Sequence, residues 1–358
     1  MQLKQDRFYL LDFYRALAAL AVVLFHYKNF YKIENSTQAF EINNQPFYNI
    51  FFYAYESGWL AVHFFFILSG FIFFCLYLKK INTKKISFKN FFILRFSRLY
   101  PLHILTFFLV LLIAYISVNG ALLKNINLKH IFLNIFLIQN WGFEDGNSFN
   151  LSSWSVSIEI LMYIIFFFLA KTNRFLLLLT FLLIILSSVV FFKYKLIGYG
   201  GFCFFIGGLT SLIFEFLKKK NYFNINNWIV FTLLLLSTFL IACIMFRYNF
   251  SSPQLKVILI VFFFPSLILT SVIFPNNDAL IIKKISIIGN FSYSIYMLHF
   301  VIMLMFVFYL NIFNIFINFN SYQFFSIYML MCIFISIISF YYFETPVQNF
   351  IRKKFILK

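Results

Sequence analysis

The chain has 358 residues, 63% hydrophobic and only 11% charged, with 29 Lys and Arg against 11 Asp and Glu for a net charge of +18. A soluble domain carries about 25% charged and about 45–50% apolar residues, which excludes a water-soluble globule. The basic residues lie between long apolar runs rather than on a tail or a single face, so nucleic acid is not the reason for them.

Apolar runs of about 20 residues recur along the whole length, as an all-α polytopic membrane protein requires. Ten spans are expected, at 10–30, 58–78, 99–118, 152–170, 174–192, 198–217, 227–246, 255–274, 285–309 and 322–343. The run 128–138 is too short to cross and reads as a re-entrant or interfacial helix. With both termini cytoplasmic, most Lys and Arg fall in the inner segments 79–98, 171–174, 218–220, 283–284 and the stretch past 350. That satisfies the positive-inside rule. Counting 128–138 as a span would put Lys218, Lys219 and Lys220 outside. The expected place is the inner (cytoplasmic) membrane of the cell, with the bilayer as partner and one integral-membrane domain over 1–358.

The first span carries Asp12, Arg15 and His26 in an apolar helix. Burying Arg alone in lipid costs about 2.5–3.5 kcal/mol on the insertion scale, which argues for a protein interior or a wet cavity. Eleven residues separate Arg15 from His26, three turns plus roughly 20°, so they share a stripe about 16 Å long. Met1 to Arg7 could begin a signal peptide, but Arg15 and the lack of a small-x-small cleavage site speak against one.

The second span, GWLAVHFFFILSGFIFF, holds His63, Ser69 and Gly70. Small residues in such helices are first of all packing points. Arg95 and Arg98 lie three apart, hence on one helical face, ahead of Pro101 at the start of the third span. They anchor the inner face, or they grip phosphates with the guanidinium fork. In LSSWSVSIEILMY, Ser155, Glu159 and Tyr163 repeat at i, i+4, i+8, and an intramembrane carboxylate is a functional candidate by default. In GNFSYSIYMLHF, Ser292, Tyr296 and His299 again share a stripe. Glu344 and Pro346 fall where the last helix should end. Cys75, Cys203, Cys243 and Cys332 lie in apolar runs without metal-ligand spacing, and no metal is expected. There is no Walker loop, dinucleotide fingerprint or clear internal repeat. The polar groups thus sort into an inner cationic set and a deeper His/Glu set, which suits an anionic cytosolic ligand whose far end reaches into the membrane.

These residues resemble the membrane-bound acyltransferase-3 family, which O-acylates cell-surface and exported carbohydrates. The matching features are Arg15-x10-His26 in a span opening LD-x-x-R-x-L-A, the FFFILSGF run, Arg95-x-x-Arg98-x-x-Pro101, and Trp154-Ser155-x-x-x-Glu159-x-x-x-Tyr163. Ser292-Tyr293-Ser294-x-Tyr296-x-x-His299 and Glu344-x-Pro346 complete the series in family order. Two features depart from the pattern. His63 stands where an acidic residue is usual, and the GGFCFFIGG run lacks the Arg often found ahead of it.

The resemblance implies transfer of an acyl group, acetyl first and not amino-acyl, from cytosolic acetyl-CoA to a hydroxyl of lipopolysaccharide, capsule or another exopolysaccharide at the outer face. Arg95 and Arg98, with Arg15, would hold the CoA nucleotide. His26 would act as general base or transient acyl acceptor, with Glu159 orienting it or relaying a proton and Arg15 beside them. Asp12, Trp154, Ser155, Tyr163, Ser292, Tyr293, Tyr296 and His299 would line the substrate cavity or steady the oxyanion. Some relatives carry a C-terminal esterase-like domain, which is not expected here because the sequence ends at Lys358. A transporter or flippase of a lipid-linked sugar is the alternative from a different class, since buried charges also line transport pathways.

Overall fold

The structure is a computed structural model that describes residues 8–33, 40–116, 126–146, 148–220, 236–238, 253–274 and 279–356. All regular structure among the described residues is helical. Seven helices are long and apolar enough to cross a membrane. Nine of the ten expected spans fall on described helices; the tenth, 227–246, lies outside the described residues except for 236–238.

The chain forms two compact units interleaved in sequence. One comprises Met1–Ala18, Val62–Lys85 and Ile165–Asn290, the other Ala19–Ala61, Ile86–Ile164 and Phe291–Lys358. The divisions fall inside α1 (Tyr9–His26), near the start of α4 (Leu60–Asn82) and inside α7 (Ser153–Leu169). Arg15 therefore belongs to the first unit, and His26 and Glu159 to the second.

In the first unit, α8 (Leu176–Val190) packs along α9 (Lys195–Lys219). Helix α4 meets α9 through glycine. A Cβ on Gly70 would overlap the carbonyl of Phe204, and one on Gly207 would overlap that of Ile67. The small residues of FFFILSGF and GGFCFFIGG thus let two backbones touch, as membrane helices do in place of hydrophobic burial. His63 is buried with its ring edge-on to Tyr199, centroids 4.9 Å apart. Further along, α10 (Pro253–Ile258) and α11 (Phe264–Ile273) are joined by a π-turn, and α12 (Leu280–Ser286) follows.

The second unit is organised on α13 (Ser292–Ile312), which is buried along most of its length. It packs against α5 (Phe88–Ile116) and α14 (Tyr322–Ser339), and α15 (Thr345–Phe355) returns onto α5. Helices α2 (Phe30–Ile33), α3 (Tyr48–Ser57) and α6 (Leu128–Ile135) are short. The last of these falls within the expected 128–138, and it is followed by a turn in which Leu137 takes φ 57°.

Several boundaries differ from the sequence expectation. The third span does not start at 99, because α5 begins at Phe88 and carries Pro101 inside it. At 1.5 Å per residue its 29 residues extend about 43 Å, beyond a hydrocarbon core of about 30 Å. Nor does the last helix end at 343. It passes through a π-turn over Phe340–Glu344 and continues to Phe355, the longer turn accommodating Pro346 at the head of α15. Helices α7 and α8, with 17 and 15 residues, are shorter than the spans expected at 152–170 and 174–192.

Candidate active site

In the first unit Arg15 pairs with Asp12, Nη1 to Oδ1 at 3.3 Å, each side chain 17% exposed. One turn of helix separates them, and mutual neutralisation is how an apolar helix tolerates both charges. Gly289 lies against the Asp12 backbone, where a Cβ would overlap the carbonyl oxygen.

In the second unit, His26 at the C-terminal end of α1 meets His299 on α13. Nδ1 of His26 lies 2.9 Å from Nε2 of His299, and the ring planes are 7° apart. His299 Nδ1 lies 3.2 Å from the Ile295 carbonyl oxygen. A carbonyl only accepts, so that nitrogen carries the proton and Nε2 is left as the acceptor. His26 Nδ1 therefore donates, and the lone pair of neutral His26 sits on Nε2, pointing away from its partner. This tautomer follows from the hydrogen-bond network. Ser152 Oγ lies 3.4 Å from His299 Nε2, and Asn150 Nδ2 donates to the Met297 carbonyl at 2.9 Å, pinning the segment before α7 to α13. His26 is half-buried, whereas His299 is fully buried.

The Ser155 and Tyr296 hydroxyls meet at 2.7 Å. Tyr163 donates its hydroxyl proton to Glu159 one turn earlier on α7. Ser155 thus meets Tyr296 across the two helices, and Glu159 meets Tyr163 along α7. Trp154 lines a small polar pocket with Gln139, Asn140, Asn150 and Ser153. Ser292 is buried in the first turn of α13.

Tyr293 bonds elsewhere. Its hydroxyl donates to the Leu99 carbonyl on α5 at 2.6 Å, so that proton is committed and the residue ties α13 to α5. It does not offer a donor to an oxyanion in this arrangement. Glu344 also differs from the helix-end reading. It sits in the π-turn and accepts hydrogen bonds from Ser294 and, at 3.2 Å, from Ser339.

Arg95 lies within electrostatic reach of Glu159, Arg98 and Arg352. Arg352 donates through Nε to Ser97 Oγ at 3.3 Å and through a terminal nitrogen to the Leu94 carbonyl at 3.2 Å. The α5 face thus carries three guanidiniums, one supplied by the far end of the chain. Sequence reasoning counted Arg352 only as inner-face charge. It also missed Asn150 and Ser152, since polar loop residues have no periodicity to set them apart.

Beyond these, α6 is held by a polar network. The His103 ring lies 2.8 Å from the Asn134 carbonyl, and Asn134 Nδ2 and His130 Nδ1 both reach Ser148 Oγ, at 3.1 and 3.0 Å. Lys129 and Asp145 pair at 2.6 Å on its exposed side. No group of three metal-ligating side chains occurs among the described residues.

The model of the family described as "Acyltransferase domain", acyltransferase-3, matches residues 8–343. The chain belongs to that family. Proteins named as candidate O-acetyltransferases in Staphylococcus aureus strains COL, MSSA476 and MRSA252 are each 30% identical over 170 residues. Those matches cover 44% of this chain and 23% of each relative, so the matched part is about a quarter of the relatives' length. No solved structure matches. Family and helices together make this acyltransferase-3 chain a multi-pass membrane protein with an acyltransferase fold.

Proposed function

We propose that this chain transfers an acyl group, acetyl first, from cytosolic acyl-CoA to a hydroxyl of a cell-surface or exported carbohydrate at the outer face of the cytoplasmic membrane. The observation that carries the reading is the His26–His299 pair, whose tautomer leaves a basic lone pair on His26 Nε2. A neutral imidazole so oriented can take the proton of a sugar hydroxyl as its oxygen attacks the thioester carbonyl. It keeps its bond to His299 throughout, since Nδ1–H donates in both protonation states.

The steps balance with no further reactant. The new C–O bond forms, the C–S bond breaks, and the proton held on His26 goes to the departing CoA sulfur. Products are the O-acyl sugar and free CoA thiol. Tyr296 is assigned to the oxyanion: with Ser155 donating to the Tyr296 oxygen, the Tyr296 O–H is left for the developing charge, where a pre-placed donor is worth more than in water. Arg95, Arg98 and Arg352 are assigned to the CoA phosphates, for which the guanidinium fork has matching geometry. Glu159, with Tyr163, balances that cationic cluster.

The test is mass spectrometry of surface polysaccharide from cells carrying the wild-type gene, no gene, or His26→Ala. The expected result is one acetyl mass lost in both the deletion and the variant at equal membrane protein levels. Acetylation that persists in the deletion strain would overturn the reading.

A further inference from the structure

At the end of α1 that carries His26, a second site lies open in the same unit. A cleft of about 530 Å³ sits between the segment preceding α3 and the turn entering α14. That volume is within the range of small-molecule sites. It is tied directly to the residues beside the histidine pair. Tyr27, next to His26, donates to the Phe319 carbonyl at 2.8 Å, and Tyr31 donates to Asn320 Oδ1 at 2.5 Å.

The lining chemistry is specific. Asn43, Asn44, Gln45, Asn49 and Asn320 contribute amides; no charged side chain lines the cleft, though the carboxylates of Glu41 and Glu56 accept from Asn44 Nδ2 and the Tyr48 hydroxyl, each at 2.6 Å. An amide both donates and accepts, which is what a hydroxyl requires of its partner. Phe47, Tyr48 and Tyr322 add aromatic surface, whose negative face suits the C–H face of a pyranose ring. A phosphate or carboxylate would find no cation here, and a lipid tail would meet five amides.

The site is also built in advance. Gln45, 4% exposed, donates through Nε2 to the Glu41 carbonyl at 3.1 Å and to Tyr31 Oη at 3.3 Å, while its buried Oε1 lacks a hydrogen-bond partner. Those bonds fix Gln45 in the lining before any ligand arrives. Phe47 is held at φ 55°, in the left-handed region, with its ring 4.7 Å from that of Tyr322. Backbone strain of this kind persists only where surroundings enforce it, and it clusters at ligand clamps.

We infer that this cleft binds a neutral stretch of the acceptor glycan, one or more sugars away from the ring being acylated, and so guides the polymer to His26. The inference rests on the carbohydrate O-acyltransferase reading, and the experiment separates the two. Purified protein in lipid nanodiscs is titrated calorimetrically with de-O-acetylated oligosaccharides released from the host cell's own surface polysaccharide. Acetyl transfer to the same oligosaccharides is measured in parallel.

Wild type and His26→Ala are expected to bind alike, while Tyr322→Ala and Asn49→Ala, both at exposed positions, bind about tenfold more weakly. In the transfer assay those two variants should raise the KM for oligosaccharide and leave that for acetyl-CoA in place. Binding that responds to Tyr322→Ala without any transfer by wild type would keep the subsite and sink the enzymatic reading. Transfer with unaltered binding and KM in both variants, or no binding by wild type, would overturn the subsite.

Discussion

His26 and His299 are 273 residues apart in sequence and 2.9 Å apart between ring nitrogens. One proton assignment propagates along the pair. Because the Ile295 carbonyl fixes His299, His299 fixes His26.

His299→Ala removes that anchor without touching the base. Positioned general bases contribute roughly 10²–10⁴-fold. His26→Ala should therefore lose activity over that range, whereas His299→Ala should lose about 10–10²-fold, in kcat more than in KM for either substrate. An unaltered kcat in His299→Ala would refute the orienting role.

The α5 guanidiniums give a second expectation. Hydrogen bonds to charged groups contribute about 1.5–3 kcal/mol, so Arg98→Gln should raise the KM for acetyl-CoA roughly tenfold or more. Arg95→Gln should act in the same direction. The acceptor KM should hold in both, as measured by initial rates in detergent or nanodiscs.

Glycine 70 tests the packing of the first unit. Its missing Cβ is the space occupied by the Phe204 carbonyl, which cannot rotate away as a side chain would. Gly70→Leu should therefore destabilise by at least the roughly 1–3 kcal/mol typical of overpacking. A lowered melting temperature and poor membrane yield would be the readouts.

The Lys129–Asp145 pair sets a pH expectation outside the spans. The Lys129 ammonium holds the Asp145 carboxyl below the usual carboxylate range. A depressed folded value makes the contribution present above the unfolded pKa of about 3.9 and lost as pH falls through the folded one. Both side chains are exposed, so salt screens the pair. Lys129→Ala should match wild type in melting temperature at physiological salt. Any small deficit should appear only at low ionic strength near neutral pH and vanish in acid.

Hydropathy placed the membrane helices well because every backbone group in lipid must be satisfied within a helix, leaving long apolar runs. Helix ends were harder to read. Pro101 and Pro346 signal breaks, yet tertiary packing carries α5 through the first, and a π-turn carries the last helix past the second. The stripes Ser155–Glu159–Tyr163 and Tyr296–His299 were legible from 3.6-residue periodicity. Which side chain each would meet was not, since Ser155 finds Tyr296 and Tyr293 spends its proton on Leu99 through contacts remote in sequence. The cleft at Gln45 and Asn320 was illegible for the same reason, since its amides come from segments remote in sequence and share no period.

The π-turn at Phe340–Glu344 has a further effect on everything after it. One residue beyond the α-helical count rotates the following helix by about 100°. That phase change turns Arg352 onto α5, where Ser97 and Leu94 receive it. Deleting a single residue from the turn would keep the apolar composition intact and yet swing the third guanidinium off its face. In this chain the charge gathered on α5 is therefore encoded as much by the number of residues between Ser339 and Thr345 as by the identity of residue 352.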